Sequence, residues 1–114
     1  MSAMAKAQKG KAEEFIGEAE ALLNKKGWFG GNKERNAEDA AELYEKAANA
    51  YKVGGFNQEA GDMYMKCVEI YRDRLSNFNE ASKHLNNAGK SGLSAGHPVL
   101  LSFLISFSTV CYRD

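Results

Sequence analysis

The sequence is poor in the residues that interrupt or cross-link a chain. Pro98 is its one proline, so everything before it is free of proline breaks. Long helices suit such a stretch better than a meander of short strands does. Cys67 and Cys111 are the only cysteines. Two thiols are too few for a disulfide framework, and we expect a reducing intracellular compartment.

The chain also lacks an excess of charge of either sign. Fifteen Lys and Arg residues balance fifteen Asp and Glu residues. This balance argues against nucleic acid as the main partner, because proteins held by phosphates are usually strongly basic. Residues 1–11 contain no apolar core and are not expected to be a secretory signal. The apolar residues 99–112 fall short of the roughly twenty that a membrane-spanning helix needs.

Motifs that carry chemistry are missing as well. The sequence has no phosphate-binding glycine loop, no dinucleotide fingerprint and no nucleophile elbow. Its two histidines and two cysteines lack the spacing of metal ligands. We therefore expect neither an enzyme nor a bound metal or cofactor. Cys67 is expected to be a small buried hydrophobe and not a nucleophile.

Apolar residues at helical spacing predict four helices. The predicted ranges are residues 11–26, 37–53, 58–75 and 80–90. Gly27 and the pair Gly54-Gly55 are the predicted stops of the first two helices. Asparagines precede the other predicted starts and are candidate N-caps, namely Asn36, Asn57 and Asn79.

The helices carry a repeat of alternating small and aromatic residues, with copies twenty or twenty-one residues apart. The first copy is Ala40, Tyr44, Ala47 and Tyr51, the second Ala60, Tyr64, Cys67 and Tyr71, and a weaker third Ala81, Leu85 and Ala88. Alanine leaves a hole into which a tyrosine from a neighbouring helix can pack. The repeat predicts an all-α, tetratricopeptide-like antiparallel helical-hairpin solenoid. Its tyrosines are expected in the core, the alternative being a peptide-binding groove.

A series of motifs in this order resembles the N-terminal part of the soluble NSF attachment protein (SNAP) family. The motifs are residues 19–23, the loop Trp28-Phe29-Gly30-Gly31, the repeat 40–51, and residues 56–61 and 86–90. The resemblance covers residues 11–90. Members of this family couple SNARE complexes to a disassembling ATPase and have many more helices, and their C-terminal part stimulates that ATPase.

The resemblance implies a non-enzymatic adaptor in vesicle-mediated protein transport between the endoplasmic reticulum and the Golgi. Such an adaptor binds SNARE complexes and anionic membranes, helps recruit the NSF-type ATPase, and is cytoplasmic and peripheral on membranes. Lys46, Lys52 and Lys66 are candidates for a basic surface facing SNARE helices, although no individual partner-binding residue is assigned. The alternatives are a general tetratricopeptide-like interaction module without a membrane role, or a truncated product without function.

The loop Trp28-Phe29-Gly30-Gly31 is the predicted membrane contact. Aromatic rings favour the headgroup interface, and glycines let a loop tip adapt to it. Lys25 and Lys26 precede the loop and would be attracted to an anionic bilayer. The alternative is that the two rings fold back and cap the first helical hairpin.

The chain is expected to divide into a SNAP-like helical-repeat region, residues 1–90, and a divergent apolar tail, residues 91–114. From Ser91 onward the sequence loses register with the family pattern, and the ATPase-stimulating part is expected to be absent. The tail is expected to cover the open face of the last helix, as a terminal repeat requires. The alternative is an unstructured extension that is prone to aggregate.

Overall fold

The computed structural model describes residues 2–24 and 33–91. These residues form four helices and no strand: α1 (Ala3–Asn24), α2 (Lys33–Val53), α3 (Asn57–Asp73) and α4 (Phe78–Lys90). The predicted all-α class and the four predicted helices are confirmed. The predicted stop Gly27 and the tail beyond Ser91 lie outside the described residues.

All four helices begin earlier than the apolar pattern predicts, and α1 and α2 do so by four residues or more. α1 starts at Ala3 and not at residue 11, because the Ser2 hydroxyl accepts a hydrogen bond of 3.1 Å from the Ala5 backbone N–H. Alanine, the best helix former, then extends the helix without needing apolar burial. α2 starts at Lys33, so Asn36 lies in its first turn and is not its N-cap.

The predicted caps of α3 and α4 are also wrong. α3 follows Phe56, which makes no side-chain cap, and Asn57 is already helical. The N-cap of α4 is Asn77, whose side chain accepts a hydrogen bond of 3.2 Å from the Glu80 backbone N–H. Ser76, with φ of 50°, turns the chain just before this point and places Asn77 at the cap, which leaves Asn79 inside the helix.

Each helix packs closely against the helices that precede and follow it in the sequence. α1 packs against α2, α2 against α3 and α3 against α4. Each helix buries two small residues that are spaced seven apart and fully inaccessible to solvent: Ala12 and Ala19, Ala40 and Ala47, Ala60 and Cys67, Ala81 and Ala88. A spacing of seven is about two turns, which puts both residues on one face. Small side chains there let neighbouring backbones approach closely.

The tyrosines of the repeat pack into this core, as predicted. Tyr44, Tyr51 and Tyr64 are 3%, 7% and 4% exposed, and Tyr71 is partly buried. These tyrosines pack in clusters whose residues come from three consecutive helices. One cluster joins Ala19 of α1 and Tyr44 of α2 to Ile70 of α3, and another joins α2, α3 and α4. Packing of each helix on its neighbours in sequence is what a helical-hairpin array requires.

Cys67 behaves as a small core residue. It is fully buried, and its thiol donates a hydrogen bond of 3.3 Å to the backbone carbonyl of Ala41. Burial raises the pKa of this thiol well above its ordinary value. A protonated, inaccessible thiol is not a nucleophile, so the prediction for Cys67 is confirmed. The contact also ties the middle of α3 to α2.

We expect Ala40→Leu to destabilise the protein strongly, because Ala40 is fully buried and the extra methyl and methylene groups would separate α2 from its neighbours. The expected loss in the free energy of unfolding, measured by urea denaturation and circular dichroism, is about 1–3 kcal/mol. Ala21→Leu is the matched control, since Ala21 is exposed on α1. Equal stabilities of the two variants would contradict the close packing of these helices.

Two glycines are expected to respond to alanine in opposite directions. Gly55 has a φ of +86° after the end of α2, so Gly55→Ala should lower the free energy of unfolding by about 1 kcal/mol. Gly17 lies inside α1 with open space around it, so Gly17→Ala should raise the free energy of unfolding by up to about 1 kcal/mol. The same denaturation measurement tests both changes. A stabilising Gly55→Ala would contradict the turn described here.

Candidate functional site

The predicted membrane-contact residues lie outside the described part of the chain. They are Lys25, Lys26, Trp28, Phe29, Gly30 and Gly31. The structure does describe the residues on either side, because α1 ends at Asn24 and α2 begins at Lys33. Successive helices run antiparallel, so the C-terminal end of α3 and the N-terminal end of α4 share this end of the bundle. We call it the loop end.

The loop end combines exposed cations with exposed apolar surface. Lys33 and Arg35 are exposed on the first turn of α2, and Arg74 is exposed just after α3. Phe78 at the start of α4 is 38% exposed. Glu34 is also exposed there, so the flanking charge is mixed with a basic excess. A surface of this kind can contact an anionic headgroup layer.

A groove of about 300 Å³ opens beside the last turn of α1. Leu23, Tyr44 and Ile70 supply its apolar lining, and charged residues of α3 form its rim. Burial and the nearby Glu20 raise the pKa of the Tyr44 hydroxyl, which therefore stays protonated at neutral pH. The groove places Lys66, one of the predicted basic residues, beside the loop end.

The other predicted basic residues are exposed but do not form one stripe. Lys46 and Lys52 lie six residues apart on α2, which separates them by about 120° around the helix. Lys66 is exposed on α3. The described helices therefore present these lysines on more than one side of the array.

Sequence reasoning missed a buried histidine between α2, α3 and α4. His84 is 1% exposed, and its ring is nearly parallel to that of Tyr71, with centroids 5.4 Å apart. The ring of Tyr64 also stacks on the imidazole of His84, with centroids 6.3 Å apart. His84 follows Ala81 by three residues and precedes Ala88 by four. Because Ala81 and Ala88 are buried, this spacing places His84 on the same buried face of α4 and could have predicted its burial from the sequence.

Two carboxylates face the edge of this imidazole. Nε2 of His84 lies 3.9 Å from a carboxylate oxygen of Glu45 and 3.8 Å from one of Glu80. Burial lowers the pKa of His84, and this outweighs the two carboxylates, which raise it. The imidazole is therefore neutral at pH 7. Burial, and next the carboxylate of Glu80, raise the pKa of Tyr71 to about 12.

The described residues show neither a metal-ligand group nor a membrane-spanning helix. Among them no group of three His, Cys, Asp or Glu side chains is arranged to hold a metal ion. Within the same ranges no helix is both long and apolar enough to cross a membrane.

Helices that pack on their neighbours in sequence through small buried residues define an all-α protein. Comparison with known proteins gives the family: the model of the family "Soluble NSF attachment protein, SNAP" matches residues 10–97. This chain belongs to the SNAP family. It is 37% identical over 66 residues to the "Probable vesicular-fusion protein sec17 homolog" of Neurospora crassa. That match covers 57% of this chain and 23% of the relative. No solved structure matches the chain.

We expect stability to fall on acidification through His84. Because its pKa in the folded state lies below the ordinary 6.5, the unfolded chain binds the proton more readily. The free energy of unfolding should therefore drop as pH falls below about 6.5, by at most about 1.4 kcal/mol per pH unit. His84→Phe keeps a ring between the tyrosines without titrating. Urea denaturation at about pH 7.5 and 5.5 should show a smaller pH dependence for this variant.

The other histidine, His97, is present in both proteins, so the difference between their pH profiles reports on His84 alone. Identical profiles would contradict the neutral, buried imidazole.

Proposed function

We propose that this chain is a non-enzymatic adaptor in vesicle-mediated protein transport that binds SNARE complexes and the membrane surface. In this role it helps to recruit the SNARE-disassembling ATPase and acts in the cytoplasm, peripherally on membranes. The match of residues 10–97 to the SNAP family is the observation that carries the proposal. The similar relative is named as a vesicular-fusion protein, and the matched region is 23% of its length.

The loop end supports the membrane contact. Residues 25–32 connect α1 to α2 and contain Trp28 and Phe29. Partial burial of two aromatic rings contributes a few kcal/mol at about 25 cal/mol per Å². Each lysine or arginine close to an anionic surface adds about 1 kcal/mol. Lys33 and Arg35, exposed at the start of α2, supplement Lys25 and Lys26. Together these contributions favour reversible attachment over permanent anchoring.

The helical array supports the SNARE contact. Its core is closed by small residues and tyrosines, so its outer surface is free to present charged side chains along a partner. Lys46, Lys52 and Lys66 are exposed, and we propose that some of them face acidic SNARE helices. Long-range attraction of this kind steers association and weakens as salt rises.

Replacing both aromatic residues of the loop is expected to abolish most membrane binding. The double variant Trp28→Ser plus Phe29→Ser should co-float with anionic liposomes far less than the parent chain does. The expected loss is at least about tenfold, because two rings that insert partially contribute more than about 1.4 kcal/mol. Co-flotation with liposomes rich in phosphatidylserine measures it.

Met4→Ser plus Val53→Ser is the matched control for this experiment. These two exposed apolar residues, 60% and 57% accessible, lie at the end of the bundle opposite the loop end. The control should bind liposomes as the parent does. If the loop variant also binds like the parent, residues 28 and 29 do not make the membrane contact.

A general tetratricopeptide-like interaction module is the second candidate, because packing of helices in sequence is also the architecture of peptide-binding arrays. A pulldown separates the two. Retention of assembled SNARE bundles over short linear peptides would support the adaptor. Preference for short peptides, together with no binding to liposomes, would support the general module.

A further inference from the structure

The groove beside the last turn of α1 is built by three helices and has an apolar base. Its volume is about 300 Å³, and Leu23 of α1, Tyr44 of α2 and Ile70 of α3 line it. Its shape therefore depends on how the helices pack and not on the position of one side chain. The membrane and SNARE roles proposed above make no use of the interior of this groove.

The hydroxyl of Tyr44 is a polar group without a partner in this groove. Tyr44 is 3% exposed, and its hydroxyl makes no hydrogen bond with any described residue. Within the described ranges, Nδ1 of His84 is the one unpaired nitrogen or oxygen of a side chain that is fully closed to solvent. The Tyr44 hydroxyl is therefore open to the groove that it lines. Polar groups of buried side chains nearly always have partners, so a ligand is expected to supply one here.

Carboxylates dominate the electrostatic field at this hydroxyl. Burial raises the pKa of Tyr44 most, the carboxylates of Glu20 and Glu69 raise it further, and the cation of Arg74 lowers it by less. Glu69 also lines the groove. A group that docks at the base of the groove should therefore carry positive charge.

The rim of the groove carries both signs of charge. Lys66 and Arg74 are exposed there, and Asp73 is already paired with Arg72 at 2.7 Å. Charges at exposed positions are screened by water and salt. The two rim cations therefore bear on the residues that flank the docked group, where a partner's carboxylates would pair with them, and less on the group at the base.

A lysine side chain has the shape and the charge that this groove requires. Its flexible four-carbon stem can lie on Leu23 and Ile70, and its compact ammonium can donate a hydrogen bond to the Tyr44 hydroxyl oxygen. A purely apolar side chain would leave that hydroxyl unpaired, and a carboxylate would be repelled by Glu69. We propose that the groove between α1 and α3 is a docking site for a lysine side chain of a partner protein.

This inference does not rest on the proposed membrane or SNARE roles. The loop variant Trp28→Ser plus Phe29→Ser leaves every lining residue of the groove unchanged. The variants that test the groove leave residues 25–32 unchanged. Loss of liposome binding and loss of lysine binding are therefore separate outcomes.

Nuclear magnetic resonance titration of the full chain with N-acetyl-lysine amide tests the proposal. We expect saturable shifts of backbone amide signals around Leu23, Tyr44 and Ile70. N-acetyl-norleucine amide has the same four-carbon stem without the ammonium, and it should bind at least about tenfold more weakly. Equal binding of the two amides, shifts spread evenly over the surface, or no saturable shift would overturn the proposal.

Tyr44→Phe removes the hydroxyl and keeps the buried ring. This variant should bind N-acetyl-lysine amide about fivefold more weakly, which is the loss expected for one hydrogen bond. Tyr51→Phe is the matched control, because Tyr51 is a buried tyrosine of the same helix that does not line the groove. It should bind as the parent does. Unchanged affinity in Tyr44→Phe, or an equal loss in the control, would contradict the assignment.

Glu69→Gln tests the charge of the groove at an exposed position, where folding does not depend on the substitution. It should weaken binding of N-acetyl-lysine amide about twofold or more. Glu14→Gln is its control, since it changes the net charge equally at an exposed position of α1. Equal affinities of these two variants would show that the groove does not select a cation. This comparison also decides the matter if Tyr44→Phe loses its helical circular dichroism signal.

Discussion

Close approach of neighbouring helices is the constraint on which the rest of this structure depends. Each described helix places two fully buried small residues, seven positions apart, on the face that meets its neighbours. Tyrosines then fill the space beside these contacts, and the Cys67 thiol reaches the backbone of α2 because nothing larger stands between the helices. The loop end and the stacked ring pair of Tyr71 and His84 are both positioned by this packing, since each draws residues from more than one helix.

The sequence predicted the features that depend on local periodicity. Spacings of seven and twenty residues identified Ala40, Ala47, Ala60 and Cys67 as core positions before any contact was known. Helix starts were predicted less well because several residues compete for the cap. Asn77 and Asn79 are both good N-caps, and the turn at Ser76 decides between them. The start of α1 depends on the Ser2 cap and alanine propensity, which leave no apolar pattern.

The histidine shows where sequence reasoning ended for the candidate sites. Leu85 looked like the core residue of α4, yet its neighbour His84 is the more deeply buried of the two. His84 packs against the rings of Tyr64 and Tyr71 of α3, whereas Leu85 is only partly buried. The spacing of His84 from Ala81 and Ala88 indicated the buried face, but a polar residue type argued against a core position. The membrane-contact residues remain a prediction from the family resemblance and from the aromatic and glycine composition of the loop.

The central functional claim is that the membrane is met at the loop end. Hydrogen–deuterium exchange of the full chain, with and without anionic liposomes, tests it most directly because it reports on each segment separately. We expect liposomes to slow exchange in residues 25–32 and in the first turn of α2, with no change where α1 begins and α2 ends. Protection at that opposite end, or no protection anywhere in the chain, would contradict the claim.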